Sequence, residues 1–119
     1  MSKYGHYATQ YYRSKNNFPI ESFCIAGISN YQDKLSDVNC DTILHMKQEP
    51  TNKYDPNAIT VCHNDVVIGY VPKEKLCDVK ENINESLCIL NIGSTNGLKS
   101  IRVVPQKFFK PEQVFHKYF

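Results

Sequence analysis

Apolar and β-branched residues occur in short runs along this chain, and clusters of Asn, Asp, Pro and Gly separate one run from the next. Runs of about four to eight such residues, bounded by turn-forming residues, are typical of strands rather than helices. The pattern therefore predicts six strands, at residues 22–28, 42–47, 58–62, 66–71, 87–92 and 98–104.

Short connections and one proline indicate how these strands are joined. Asn64 and Asp65 form a turn between the third and fourth strands, and Asn96 followed by Gly97 is a hairpin signal between the fifth and sixth. Pro72 suits the first turn of a helix, where its missing N–H costs nothing. The apolar residues that follow at helical spacing, and that we expect to face the core, are Leu76, Val79 and Ile83. The prediction is a mostly β domain with one or two short helices, folded as a small six-stranded OB-like or SH3-like barrel.

The two ends of the chain lack this pattern and carry its excess positive charge. Residues 1–17 have a net charge of +3, and residues 106–119 have a net charge of +2. Because the whole chain is +2, residues 18–105 are at −3. We predict a flexible basic and aromatic arm (1–17), a barrel domain (18–105) and a basic and aromatic C-terminal tail (106–119). This distribution allows a modest, local and salt-dependent affinity for nucleic acid.

The cysteines and the apolar runs bear on where the protein works. The five cysteines are odd in number and widely spaced, whereas secreted disulfide scaffolds use even, denser sets. We interpret them as reduced, mostly buried thiols. Cys62 and His63 do not suggest a zinc site, because neighbours in a strand point to opposite faces. No apolar run is long enough for a membrane span or a secretion signal. We expect an intracellular protein, cytoplasmic or nuclear, that is not secreted and has no membrane partner.

The sequence carries no recognisable set of catalytic residues. No serine lies in a G-x-S-x-G context, and there is no glycine-rich phosphate loop. Asp33, Asp37 and Asp41 recur at four-residue spacing, but a strand is predicted to begin near the last of them, so their carboxylates are not expected to converge on a metal. We therefore predict a protein that is not an enzyme and needs no cofactor or metal.

The most specific part of the sequence is residues 48–73. It contains a Glu-Pro pair, an Asn, a Tyr-Asp-x-Asn-Ala run, a β-branched strand and then Gly-Tyr-Val-Pro-Lys. This pattern resembles the HIRAN domain family, and the resemblance extends over about residues 21–104. It implies an OB-like β-barrel. In fork-remodelling helicase-like ATPases this domain captures a single-stranded 3′ end of DNA.

The resemblance also implies roles for individual residues. Tyr54 would stack its ring on a base, and the Asp55 carboxylate would accept a hydrogen bond from the terminal hydroxyl. Lys73 would contact a backbone phosphate, and Tyr70 lies where the family has another pocket residue. End-binding members have an arginine and aromatic residues on the first strand. Here Phe23 keeps a ring on that strand, but no cation replaces the arginine, and we expect lysines such as Lys73 and Lys75, or the basic ends, to compensate.

Each of these residues also has a structural interpretation. Asp55 is a turn former, and Asn57 is expected to bond the loop backbone. Tyr54 and Tyr70 are rings that pack on a barrel edge or a strand, while the lysines form a solvated helix face. The phenylalanines of residues 106–119 either follow single-stranded nucleic acid, cover a barrel opening or dock a partner protein.

These observations favour a non-catalytic module that binds single-stranded DNA, with a free 3′-hydroxyl end as the candidate ligand. We expect it to assist DNA replication or repair, with a helicase-like motor or a polymerase acting in trans. The alternative is a protein-interaction adaptor that keeps the barrel but has lost the nucleic-acid pocket.

Overall fold

The computed structural model describes residues 18–109. The predicted arm, residues 1–17, and residues 110–119 of the predicted tail lie outside the described residues.

Six antiparallel strands form one sheet that curls into a half-barrel, which confirms the predicted fold class. The strands are β1 (Phe23–Cys24), β2 (Ile43–Gln48), β3 (Ile59–His63), β4 (Val66–Tyr70), β5 (Leu87–Thr95) and β6 (Leu98–Pro105). Their order across the sheet is β1-β6-β5-β2-β3-β4. The remaining elements are one short helix, α1 (Leu76–Lys80), and three 3₁₀ turns at Ile28–Lys34, Lys73–Lys75 and Gln106–Phe108.

Both predicted hairpins are present, and the backbone of their turns shows why. Asn64 and Asp65 connect β3 to β4 with φ angles of 51° and 67°. Asn96 and Gly97 connect β5 to β6 with φ angles of 53° and 80°. Positive φ at both central residues is the geometry of the type I′ turn, whose twist matches that of its strands, and Asn, Asp and Gly adopt it most readily.

The first strand is shorter than predicted. Gly27 has a φ of 68°, in the left-handed region, so the extended run ends there and the 3₁₀ turn Ile28–Lys34 begins. Before this point Ala26 forms a bridge with Tyr70, in which the Ala26 N–H donates at 2.8 Å and the Tyr70 N–H donates at 2.9 Å. This bridge joins the segment after β1 to β4, so the two ends of the sheet meet and the half-barrel closes at this point.

The closure depends on a close approach at Gly69, next to the bridge. A Cβ atom placed on Gly69 would lie 2.8 Å from the carbonyl oxygen of Ala26 and would also collide with the Ile25 side chain. Real Cβ atoms do not approach backbone oxygens so closely, so β4 can pass this segment only with glycine at this position.

A side chain completes one edge of the sheet beyond β1. The Gln32 Nε2 atom donates to the Lys99 carbonyl at 3.0 Å, and the Lys99 N–H donates to Gln32 Oε1 at 2.9 Å. The Gln32 amide therefore pairs with β6 as the backbone of a neighbouring strand would.

The core has a main cluster inside the half-barrel and a smaller one behind β5 and β6. Val103 is fully buried in the main cluster, while the next residue, Val104, points to the other side and packs with Leu90 in the smaller cluster. The partly buried residues packed against that smaller cluster are Phe18, Cys88, Phe108 and Phe109. Val79 is buried in the main cluster, with Leu76 and Ile83 against it, as the helical spacing predicts. However, the predicted helix after Pro72 is split into the 3₁₀ turn Lys73–Lys75 and α1.

The cysteines are more exposed than predicted. All five are free, but Cys62 alone is buried, while Cys24 and Cys77 are exposed. Within residues 18–109, no group of three or more His, Cys, Asp or Glu side chains is arranged to hold a metal ion. In the same range, no helix has the length and apolar character needed to cross a membrane.

Candidate nucleic-acid interface

The loop between β2 and β3 is held in shape by its own side chains. At its base the Glu49 N–H donates to the Ala58 carbonyl at 2.9 Å. Asn52 is the centre of the loop, because its Oδ1 accepts the N–H groups of Tyr54 and Asp55 at 2.8 and 2.9 Å. Its Nδ2 donates to Glu49 Oε1 at 2.7 Å. The backbone of the two candidate binding residues is therefore fixed before any ligand arrives.

This loop presents Tyr54 and Asp55 very differently. The Tyr54 side chain is 97% exposed, so its ring packs against nothing on the barrel edge. Asp55 is half-buried, and its Oδ1 accepts the N–H of Asn57 at 2.8 Å. Its carbonyl accepts the N–H of Ala58 at 3.0 Å, so Asp55 does form a turn. No hydrogen bond reaches its second oxygen, Oδ2, from the described part of the chain.

The side chains that bond the loop backbone are those of Asn52 and Asp55, not that of Asn57 as predicted. Asn57 contributes its N–H to the turn, and no hydrogen bond of its side chain occurs within residues 18–109. An Asn side chain that accepts N–H groups two and three residues further along is a known turn geometry, so the position of Asn52 before Tyr54 was a signal for this role.

Tyr54, Asp55 and Lys73 line one open depression of about 730 Å³. The loop forms one wall, and the 3₁₀ turn Lys73–Lys75 with α1 forms the other. Lys80 and the exposed Cys77 of α1 also line it. The depression thus combines an exposed aromatic ring, a carboxylate and two ammonium groups. Lys80 was not identified from the sequence.

A second depression of about 460 Å³ also has Lys73 in its lining. It is lined by the segment around β1, by residues 72–75 and by Arg102 of β6. Because Lys73 lines both depressions, it links them. Lys75 lines the second one, and its ammonium donates to the Ile20 carbonyl at 2.9 Å.

The structure changes the expectation for the first strand. Phe23 is 2% exposed and belongs to the main core, so the prediction of a base-stacking ring there is wrong. Strand alternation turns Phe23 inward and Cys24 outward. No cation lies on the first strand itself, but Arg102 on the neighbouring β6 is paired in register with Cys24, so a guanidinium group lies beside that strand.

Tyr70 lines neither depression and supports the loop instead. Its hydroxyl donates to Glu49 Oε1 at 3.1 Å, the oxygen that also accepts from Asn52. Desolvation of the partly buried phenol, followed by its hydrogen bond to Glu49, raises the pKa of Tyr70 to about 12. The hydroxyl therefore stays protonated and remains a donor to the loop at neutral pH.

Comparison with known proteins identifies the family. A family model described as the HIRAN domain matches residues 4–95, about three-quarters of the chain. The solved HIRAN domain of human HLTF is similar, with a TM-score of 0.52 and 21% identity over 71% of this chain and 72% of that one. A protein from Lactobacillus plantarum is also similar, with a TM-score of 0.54 and 14% identity over 71% of this chain and 89% of that one. At these identities the two structures support the fold alone. No curated protein matches the chain significantly.

Proposed function

The chain belongs to the HIRAN domain family of DNA-binding modules, which are not catalytic in themselves, and from this premise we propose that it holds single-stranded DNA by a free 3′-hydroxyl end.

The observation that carries the proposal is the exposed ring of Tyr54 beside the Asp55 carboxylate, on a loop whose backbone Asn52 fixes. Every nucleic-acid base has a flat face, and stacking on an aromatic side chain contributes about 1–3 kcal/mol per base. A loop that is already ordered loses little conformational entropy on binding. The ring therefore suits the terminal base of a strand of any sequence.

The Asp55 carboxylate is the reason to propose that a 3′-hydroxyl end is preferred over a continuing DNA strand. An ionised carboxylate accepts hydrogen bonds and repels phosphate, so Asp55 favours a sugar hydroxyl over a continuing phosphodiester. One oxygen is already used by the Asn57 N–H, which leaves Oδ2 for the ligand. Lys73, across the same depression, attracts the phosphate on the 5′ side of that sugar.

Free 3′ ends of single-stranded DNA arise during replication and repair, and we propose that the protein binds such ends in these processes. The module would hold the end while a helicase-like motor or a polymerase, supplied in trans, acts on the strand.

The test is fluorescence anisotropy with a labelled ten-nucleotide strand at about 50 mM salt, where electrostatic contacts are strong. The full chain is compared on two ligands that differ in carrying a 3′-hydroxyl or a 3′-phosphate. We expect tighter binding of the hydroxyl form.

Variants of the loop separate the two contacts. Asp55→Asn keeps the turn, since Asn forms the same turn, but removes the charge that repels phosphate. We expect it to bind both ends about equally. Tyr54→Ala should weaken binding of both ends about tenfold, from a stacking loss of about 1–3 kcal/mol. The matched control Tyr54→Phe should bind like wild type, because it keeps the ring.

The outcomes distinguish the alternatives. Equal wild-type binding to both ends would refute recognition of the end and leave a generic strand binder. Absence of binding to either ligand would refute the proposal altogether and favour the protein-interaction adaptor.

A further inference from the structure

The second depression contains Arg102, a cation that has no part in the proposed recognition of the 3′ end. We propose that Arg102 forms a phosphate-binding subsite there, which binds the backbone of the strand upstream of its 3′-terminal nucleotide. This inference rests on the proposed function, because it extends the same site away from Tyr54 and Asp55.

Arg102 lies on the outer face of β6. Its neighbours in the strand, Ile101 and Val103, are buried in the core, so the Arg102 side chain points outward beside Cys24. A DNA strand that leaves the first depression next to Lys73 would enter the second depression, because Lys73 lines both. Arg102 and Lys75 are thus the cations, besides Lys73, that the DNA backbone would meet in the second depression.

The guanidinium group is already held in place. Its Nη1 donates to the Ser22 hydroxyl at 3.0 Å, and the group lies 4.9 Å from the centre of the Phe18 ring. Ser22 is itself 4% exposed, and its hydroxyl donates to the Pro19 carbonyl at 2.7 Å. A side chain fixed in this way loses little rotamer entropy when it binds a ligand.

The charge of Arg102 is not neutralised within the described range. Among residues 18–109 the ion pair found is that of Lys34 with Asp33, and no carboxylate lies within ion-pair distance of Arg102. The depression holds one carboxylate, Glu74, against the three cations Lys73, Lys75 and Arg102. The excess is positive, and the planar guanidinium has N–H groups left to donate in pairs to two phosphate oxygens.

Salt dependence gives a direct measure of this contact. Each phosphate neutralised on a single strand contributes about 0.7 to the slope of log K against log salt concentration. Arg102→Gln should therefore lower the slope by about 0.7 and weaken binding about tenfold, as expected for a charge-assisted contact. Arg102→Lys should restore the slope but only part of the affinity, because it keeps the charge without the paired donors.

The matched control is Lys34→Gln, which removes one positive charge from an exposed site outside both depressions. It should leave the slope and the affinity near wild-type values. Because Arg102 contacts Phe18 and Ser22, its variants could loosen the N-terminal segment. The second measurement therefore uses wild-type protein and ten-nucleotide strands that carry one uncharged methylphosphonate linkage at each position in turn.

We expect one upstream linkage to reproduce the loss seen with Arg102→Gln, and that linkage to have no further effect in the variant. If every linkage weakens the two proteins alike, or if Arg102→Gln behaves like Lys34→Gln, the subsite is refuted. The proposed function fails separately, if the wild type shows no preference for the 3′-hydroxyl.

Discussion

Gly69 offers the sharpest test of how the half-barrel closes. In Gly69→Ala the new Cβ would lie 2.8 Å from the Ala26 carbonyl oxygen and would overlap the buried Ile25 side chain. That oxygen cannot retreat freely, because it accepts the Tyr70 N–H at 2.9 Å. Relief of the overlap would weaken the bridge between Ala26 and Tyr70.

The size of the effect follows from these contacts. Overpacking of a well-packed site costs about 1–3 kcal/mol, and each hydrogen bond of the bridge contributes about 0.5–1.5 kcal/mol. We expect Gly69→Ala to lower the free energy of unfolding by about 3 kcal/mol, a large part of the 5–15 kcal/mol typical of a domain. In a domain of this size that corresponds to a fall in Tm of more than about 10 °C.

The assay is urea denaturation of the full chain, with Gly93→Ala as the matched control. Gly93 also lies in a strand, but its added Cβ would meet only side-chain atoms of Ser100 and Asn91, at 3.0 and 3.6 Å. A side chain can rotate away, so we expect Gly93→Ala to change the free energy of unfolding by no more than about 1 kcal/mol. If Gly69→Ala is as stable as Gly93→Ala, the close approach does not determine the closure and the reasoning is refuted.

Two further predictions concern stability. Gln32→Ala removes both hydrogen bonds to the Lys99 backbone, so we expect a loss of about 1–3 kcal/mol and faster hydrogen exchange at the Lys99 amide; unchanged exchange there would contradict the pairing. The pKa of Tyr70 is raised from 10.0 to about 12 in the folded protein, so this tyrosine ionises in the unfolded chain before it ionises in the folded one. Its contribution to the free energy of unfolding is therefore complete below pH 10 and is lost as the pH rises to 12. The free energy of unfolding should therefore fall less steeply over this interval in Tyr70→Phe, and equal pH dependence in the two proteins would contradict the assignment.

Local signals explain the parts of the fold that were predictable. The turns at residues 64–65 and 96–97 need positive φ, and residues that adopt it stand at those positions in the sequence. The short β1 was not predictable in the same way, because its partner in the sheet is β6, at the other end of the domain. A long-range pairing of this kind depends on the closed fold and not on the neighbouring residues.

The candidate site likewise contains residues that the sequence could indicate and residues that it could not. Tyr54 and Asp55 are adjacent in one loop, so the motif alone could indicate them. The prediction for Phe23 was wrong because alternation along a strand does not by itself say which of its two faces is turned towards the core. Arg102 was missed because it comes about 80 residues after the strand beside which it lies. No sequence pattern connects it with that strand.

The pairing of Gln32 with Lys99 also affects whether two copies of the protein can associate through the edges of their sheets. An uncovered strand edge is a template on which a second chain can add a strand, and this is a common route to aggregation. At Lys99 the backbone N–H and carbonyl on that edge are already occupied by one amide group. At this position a single side chain therefore occupies the backbone groups on which a strand from a second copy would pair, and so disfavours edge-to-edge association there.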